Sequence, residues 1–202
     1  MVEEQAGKRI DSFIASRWIV KIIILETKEE IAFAGYLKSI QDTENQIAVP
    51  EIKMLLTDCD GCLTDAGMYY SEFGDELKKF NTRDGMGFSL LREKGIITGI
   101  ITSENVELNR RRANKLKLDI LESGCTDKLN KIIEICGQRG IALENVCYIG
   151  DDINDVDAIK SVGFGCAPSD AMPQAKYAAK YIAKARGGEG VIREVVERIL
   201  KK

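Results

Sequence analysis

Asp58 and Asp60 stand one residue apart at the end of a short apolar run, Met54-Leu55-Leu56-Thr57, and Gly61 follows at once. Two carboxylates so close repel each other unless a shared divalent cation, a seeker of hard oxygen ligands, neutralises them. The pair reads as a metal site with a candidate carboxylate nucleophile. For this stretch alone the alternative is a strand-end turn whose Asp side chains satisfy backbone donors. Three other places offer matching chemistry. Thr102-Ser103, before a helix, presents hydroxyls and free N–H groups suited to a phosphate oxygen. Lys128 in the first turn of its helix is a cation able to balance nucleophile and phosphate. Gly150-Asp151-Asp152-Ile153-Asn154-Asp155 is a second acidic cluster behind an apolar run. Together Asp58, Asp60 and Asp151 would offer the few hard oxygens that an octahedral Mg2+ prefers. Each place has a plainer reading as an N-cap, a solvated cation or a helix start whose acids suit the dipole. Coincidence explains all four together poorly.

The elements between these residues must bring them to one edge. Residues 52–57 read as a buried strand. Gly67–Tyr70 and Leu77–Asn81 flank the polar turn 71–76 as the arms of a β-hairpin. A helix over 84–94 closes on Gly95, a strand spans 96–102, and a helix spans 104–116. A short strand at 119–121 precedes a helix over 127–139 that stops at Gly140. A strand at 146–149, a helix at 154–162, short strands at 164–167 and 181–182, and a helix at 191–200 complete the run. Strands alternating with helices predict an α/β, Rossmann-like doubly wound parallel sheet. Such sheets bind ligands beyond the carboxyl ends of their strands, where all four motifs fall. Residues 1–50 differ: a strand at Ile19–Leu25, a helix at Lys28–Ser39 and Pro50 suggest an N-terminal appendage to a domain over 51–202.

Composition removes other chemistries. The 202 residues are 45% hydrophobic and 30% charged, as in ordinary globular proteins. A net charge of −3 gives no electrostatic case for nucleic acid or an anionic membrane surface. No apolar run approaches the ~20 residues of a membrane span. The chain has no histidine, so proton transfer must fall to Asp, Glu, Lys, Tyr or Cys. Six cysteines without a secretion signal suggest reduced thiols and a cytoplasmic protein. Cys59-x-x-Cys62 has dithiol spacing, yet it interleaves with the Asp motif and reads foremost as packed thiols.

The four motifs resemble those of the haloacid dehalogenase superfamily of aspartate-nucleophile phosphatases: Asp58-x-Asp60-Gly61, Thr102, Lys128 and Gly150-Asp151-Asp152-x-x-Asp155. The resemblance covers residues 52–200 and implies that Asp58 attacks phosphorus to form an aspartyl-phosphate, while Asp60 protonates the leaving alcohol and later activates water. It also implies that Asp58, the Asp60 backbone carbonyl and Asp151 hold Mg2+. Only about twenty residues separate Asp65 from Asp84, room for a hairpin flap and no cap domain. Phe80–Gly85 and Arg186–Glu194 are similar to the capless branch that contains 3-deoxy-D-manno-octulosonate 8-phosphate (KDO 8-phosphate) phosphatases, nonulosonate 9-phosphate phosphatases and the C-terminal domain of some CMP-acylneuraminate synthetases. The resemblance implies a homotetramer whose hairpins close neighbouring sites, and a phosphorylated 3-deoxy-2-keto sugar acid as substrate. Carried over as substrate-binding positions are Asn81, Thr82, Arg83, Asp84, Gly85, Glu104, Arg112, Lys115 and Asp152. Glu104 and Ser89 stand where the KDO 8-phosphate branch usually has arginine, and Glu104 is closer to the nonulosonate members. Glycines 187, 188 and 190 are expected to act as a hinge for the tail ahead of the last helix. Residues 25–32 weakly resemble the end of a sugar-acid cytidylyltransferase, so the appendage is expected to be a remnant of such a chain, and a synthetase oligomerisation module is the rival reading.

Overall fold

The apolar run becomes β1 (Met54–Thr57), buried along its whole length inside a six-stranded parallel sheet. The computed structural model describes residues 47–72 and 76–201, and the strand and helix expected ahead of residue 47 lie outside them. A hairpin follows β1, with β2 (Tyr69–Tyr70) antiparallel to β3 (Glu76–Leu77). Then come α1 (Thr82–Glu93), β4 (Ile97–Thr102), α2 (Glu107–Leu116), β5 (Ile120–Ser123) and α3 (Lys128–Arg139). The second half runs β6 (Val146–Ile149), α4 (Val156–Ser161), β7 (Phe164–Ala167), α5 (Pro173–Ala178), β8 (Tyr181–Ile182) and α6 (Val191–Leu200). Strand order is β5-β4-β1-β6-β7-β8. The chain thus builds outward from β1 on one side, then returns to build on the other. This is the expected doubly wound sheet.

Alternation along the strands feeds two cores. Leu55 joins Phe88, Leu91, Val191 and Val195 on one face, while Met54 and Leu56 meet Ile132, Ile135 and Ile159 on the other. A strand covered on both faces must be apolar at every position, which is why β1 and β6 read as continuous hydrophobic runs. Ile47 and Val49, placed by sequence ahead of the domain, pack against the first core. Helix α6 buries Val191, Ile192, Val195, Val196 and Ile199. Each such burial stabilises by about 1.5–3 kcal/mol. The surface pair Arg193–Glu197 on the same helix contributes about 0.3–0.5 kcal/mol. Burial decides where α6 sits.

Local chemistry moved several boundaries. Helix α1 begins at Thr82, ahead of the expected 84, because the Asn81 side chain caps it by accepting from the Arg83 N–H at 2.8 Å. Helix α2 begins at Glu107, later than expected, since the Glu104 N–H turns back to Thr102 Oγ1 at 3.3 Å. The helix expected over 154–162 opens as a 3-10 turn, Ile153–Asp155, before α4. Helix α5 was not anticipated: six residues opened by Pro173 are too few for a periodic signal. Gly140 takes the expected left-handed C-cap of α3.

The glycines at 187 and 188 serve a close backbone contact. A Cβ on Gly187 would stand 2.0 Å from the Gly61 carbonyl oxygen, and the Gly188 N–H donates to the Cys62 carbonyl at 2.9 Å. Two backbones touch here, and only glycine permits it. The loop ahead of α6 is seated on the Asp58–Asp65 segment.

Candidate active site

Thr57 pairs with Ile149 across β1 and β6, so the residues that follow each strand emerge side by side. That edge is the topological switch point, where adjoining loops diverge and leave a crevice. Asp58 sits there nearly buried. Its Oδ1 accepts from the Cys59 N–H at 2.7 Å and its Oδ2 takes the Lys128 ammonium at 2.9 Å. Lys128 opens α3, yet its side chain is fully enclosed, and Nζ also reaches Asp155 Oδ1 at 2.7 Å. The Tyr148 hydroxyl donates to the same oxygen at 2.6 Å. Asp155 Oδ2 accepts from the Asp151 and Asp152 N–H groups at 3.0 and 3.2 Å. Four donors therefore hold Asp155, which orients Lys128 and the loop carrying Asp151.

Gly61 lets that loop close on the first. Its φ is +79°, and a Cβ there would lie 1.9 Å from Asp151 Oδ2. Oxygens of Asp58, Asp151 and Asp155 all lie within 4.8 Å of one another. Burial first, then the Asp155 charge, pushes the Asp58 carboxyl well above its ordinary range despite Lys128. Burial followed by the charges of Asp58, Asp155 and Asp152 lifts Asp151 to about 8. Burial opposes the Lys128 ammonium, but Asp58 and Asp155 outweigh it and raise its pKa. One ammonium faces three carboxylates here. The surplus negative charge on hard oxygens fits a divalent cation, with Asp58 and Asp151 as its side-chain ligands.

Beyond these acids lies a cleft lined by Asp58, Asp60, Thr102, Glu104, Asp151 and Asp152, with Ala66, Ser103 and Asn154 at its sides. Asp60 Oδ1 accepts from Thr64 Oγ1 at 3.3 Å, and its Oδ2 accepts from Lys78 Nζ at 2.9 Å. Lys78 also donates to Glu104 Oε2 at 2.5 Å. Ser103 Oγ donates to the Cys125 carbonyl and accepts from Asn154 Nδ2. Asp152 caps the 3-10 turn by accepting from the Ile153 N–H.

Most of the remaining sequence-derived positions gather elsewhere, around the start of α1. Arg112 donates to the Asn81 carbonyl at 2.8 Å and lies over the Phe80 ring at 4.9 Å. Asn81 Nδ2 donates to the Gly188 carbonyl at 3.3 Å. Asp84 is buried and accepts from the Arg193 N–H at 2.9 Å. Gly85 lets α1 approach Leu116 and Arg112 of α2. Thr82, Arg83 and Lys115 are exposed, and none of these seven residues lines the cleft. Ser89 bonds the Gly85 carbonyl within α1. One residue of the site escaped the sequence reading, and another was named without its role. Asp155 was visible inside its acidic cluster but not as the anchor of Lys128, whereas Lys78 is one of two adjacent lysines with no local signal. All six cysteines are free thiols. Cys59 and Cys62 are buried, and burial pushes both thiols up, so they pack rather than react. No helix among the described residues is long and apolar enough to cross a membrane.

Fold and site together define a Rossmann-like enzyme whose centre is a buried carboxylate, a lysine and an acidic pocket fit for a metal. The family described as haloacid dehalogenase-like hydrolase matches residues 91–195. The chain is 38% identical over 149 residues to the 3-deoxy-D-manno-octulosonate 8-phosphate phosphatase of Yersinia pestis, covering 74% of this chain and 80% of that protein. The Haemophilus influenzae protein of the same name is 31% identical over 156 residues, 77% of this chain and 87% of its own. Among solved structures, the Moraxella catarrhalis phosphatase in complex with magnesium, phosphate and KDO superposes with a TM-score of 0.73 at 37% identity, covering 74% of this chain and 86% of that one. A cobalt-bound form of the Haemophilus influenzae enzyme gives 0.72 at 32% identity, covering 75% and 88%. This chain belongs to the haloacid dehalogenase-like hydrolases, and it is a phosphoric monoester hydrolase.

Proposed function

We propose that the protein is a Mg2+-dependent phosphatase of a phosphorylated 3-deoxy-2-keto sugar acid, with KDO 8-phosphate as the leading substrate. The observation that carries the reading is the convergence of Asp58, Asp60, Thr102, Asp151 and Lys128 on one crevice, in a chain similar to KDO 8-phosphate phosphatases. An Asp58 carboxylate oxygen attacks phosphorus, the bond from phosphorus to the sugar oxygen breaks, and that oxygen takes a proton from Asp60. Asp60, now a carboxylate, removes a proton from water as the water attacks the aspartyl-phosphate, which releases phosphate and restores Asp58. Lys128 holds Asp58 and offsets charge on the phosphoryl group, and Thr102 ends β4 beside it. A bound Mg2+, held by Asp58, Asp151 and the Asp60 carbonyl, supplies electrostatic stabilisation of the phosphoryl oxygens.

One feature favours a second substrate. Glu104 lines the cleft as an acid where the KDO 8-phosphate branch usually carries arginine, which suits a nonulosonate 9-phosphate. The active form we propose is a cytoplasmic homotetramer: Tyr69, Tyr70 and Leu77 leave the hairpin's apolar side chains more than half exposed. Phosphate release with Mg2+ from KDO 8-phosphate, N-acetylneuraminate 9-phosphate and its deaminated analogue tests the reading. Turnover of the eight-carbon acid above the others supports the leading substrate, and preference for a nine-carbon acid supports the second. Release from none of them, with activity only on unrelated phosphates, overturns both. Light scattering of the active protein checks the assembly, and full activity in a monomer removes it.

A further inference from the structure

Lys78 donates to both Asp60 and Glu104, yet it does not itself line the cleft that those two acids line. Its side chain has no exposed surface, whereas the Asp60 and Glu104 side chains are 26% and 40% exposed. It sits on the return arm of the hairpin, directly after β3, so the flap itself carries it. With Thr64 Oγ1 on Oδ1 and Lys78 on Oδ2, the Asp60 carboxylate is gripped at both oxygens and its plane is fixed. Glu104 in turn holds the far side of the ammonium and prevents it from swinging away. Burial works against the Lys78 charge, but its hydrogen bonds to Glu104 and Asp60 outweigh that and raise its pKa, so it stays a cation.

We propose that Lys78 is a positioning residue for acid–base catalysis by Asp60, and that Glu104 serves the reaction through Lys78, as the anchor that aims it. The proposal rests on the reading of Asp60 as the proton donor to the leaving oxygen. In that step the bond from phosphorus to the leaving oxygen breaks while a proton passes from Asp60 to that oxygen. A sugar alkoxide needs the proton; p-nitrophenolate leaves without it. A misaimed Asp60 therefore slows phosphorylation by an alkyl phosphate and spares p-nitrophenyl phosphate, whereas a general disturbance of the cleft slows both.

The test compares kcat/KM for an alkyl sugar phosphate and for p-nitrophenyl phosphate in wild type, Lys78→Met, Lys78→Arg, Glu104→Gln and Asp60→Asn. Positioned acid–base groups contribute about 10²–10⁴-fold. Lys78→Met should lose at least about tenfold in kcat/KM on the alkyl substrate and less than about threefold in kcat/KM on p-nitrophenyl phosphate, because kcat/KM ends at phosphorylation and leaves out the water step that also uses Asp60. Lys78→Arg should restore much of it, and Glu104→Gln should show the same asymmetry more weakly. Equal losses on the two substrates, or none, overturn the proposal. If Lys78→Met does not fold, Lys78→Gln is judged by the same asymmetry, because it keeps a hydrogen-bond donor while removing the charge, and position 78 does not line the cleft. Asp60→Asn separates the two failures. A steep leaving-group dependence there with none in the Lys78 and Glu104 variants removes this inference alone, and its absence in Asp60→Asn removes the reading of Asp60 as well.

Discussion

Among the described residues, two lysines with fully enclosed side chains each bridge two carboxylates, and they sit in unlike settings. Lys128 is carried by α3 and packs beneath the sheet edge between Asp58 and Asp155, whose side chains are 9% and 0% exposed. Lys78 is carried by a flap of two-residue strands, and water reaches both of its partners. In the first setting a lost ammonium strands two charges in a poorly solvated interior. In the second, solvent takes over much of the compensation. One construction thus braces the fold while it holds Asp58, and the other holds Asp60 with little stake in stability.

Asp58→Asn should give the largest effect, a loss of at least about 10³-fold in kcat, with the thermal midpoint unchanged or raised because a crowded buried charge is gone. Initial rates and a melting curve check both halves, and a variant retaining a tenth of wild-type activity takes the nucleophile's role from Asp58. The lysine pair is next. Removing one partner of a buried pair costs about 3–5 kcal/mol, so Lys128→Met should destabilise the protein by that order in urea unfolding. Lys78→Met should cost about 1 kcal/mol or less in the same experiment. Equal costs would break the contrast between the two settings.

The cation sharpens the contrast from another side. After chelation, activity should vanish and return with Mg2+, and Mg2+ at about 100 times its dissociation constant should stabilise the fold by about 2.7 kcal/mol. Asp151→Asn should blunt that stabilisation, because it removes a candidate ligand from the acidic surplus. Lys78→Met should leave it intact, since its ammonium sits on the flap side of the cleft. A calorimetric scan with and without the ion reads each case.

The sequence made the sheet and its reactive edge legible for one reason. A strand buried on both faces must be apolar throughout, so β1 and β6 end visibly where Asp58 and Gly150-Asp151 begin. Lys128 was legible by its place at the start of a helix, though its burial was not: a lone lysine usually means solvent. Glu104 and Lys78 are 26 residues apart in the chain, and only the folded hairpin brings them together. The same is true of the loop at Gly187 and Gly188, whose glycines read as freedom in one dimension and prove to be close contact in three. Helix boundaries shifted where a side chain outside the periodic pattern captured an N–H at the helix start, as Asn81 does for Arg83 and Asp155 does for Asp152.

The last prediction concerns a third charged cluster, which neither lysine touches. Asp84 is fully buried at the start of α1, where its Oδ1 accepts from the Arg193 N–H and its Oδ2 has no hydrogen-bond partner. The Arg112 guanidinium on α2 and N–H groups at the start of α6 face it, and both favour the charge. Burial nonetheless dominates and lifts its pKa from 3.8 to about 6. Between those two values the native state holds a proton that the unfolded chain has lost. Stability from this group is therefore complete below about pH 4 and falls as pH rises to about 6, by on the order of 1 kcal/mol per pH unit at most. Asp84→Asn keeps the oxygen for Arg193, replaces the unpartnered one with an amide and titrates nowhere. The stability of Asp84→Asn minus that of wild type, followed by urea unfolding from pH 4 to pH 7, should grow through this window and then level. A constant difference would mean that Arg112 keeps Asp84 ionised throughout. The cluster would then be a buried ion pair like that of Lys128, and burial of the carboxylates rather than enclosure of their cation would cease to distinguish the settings.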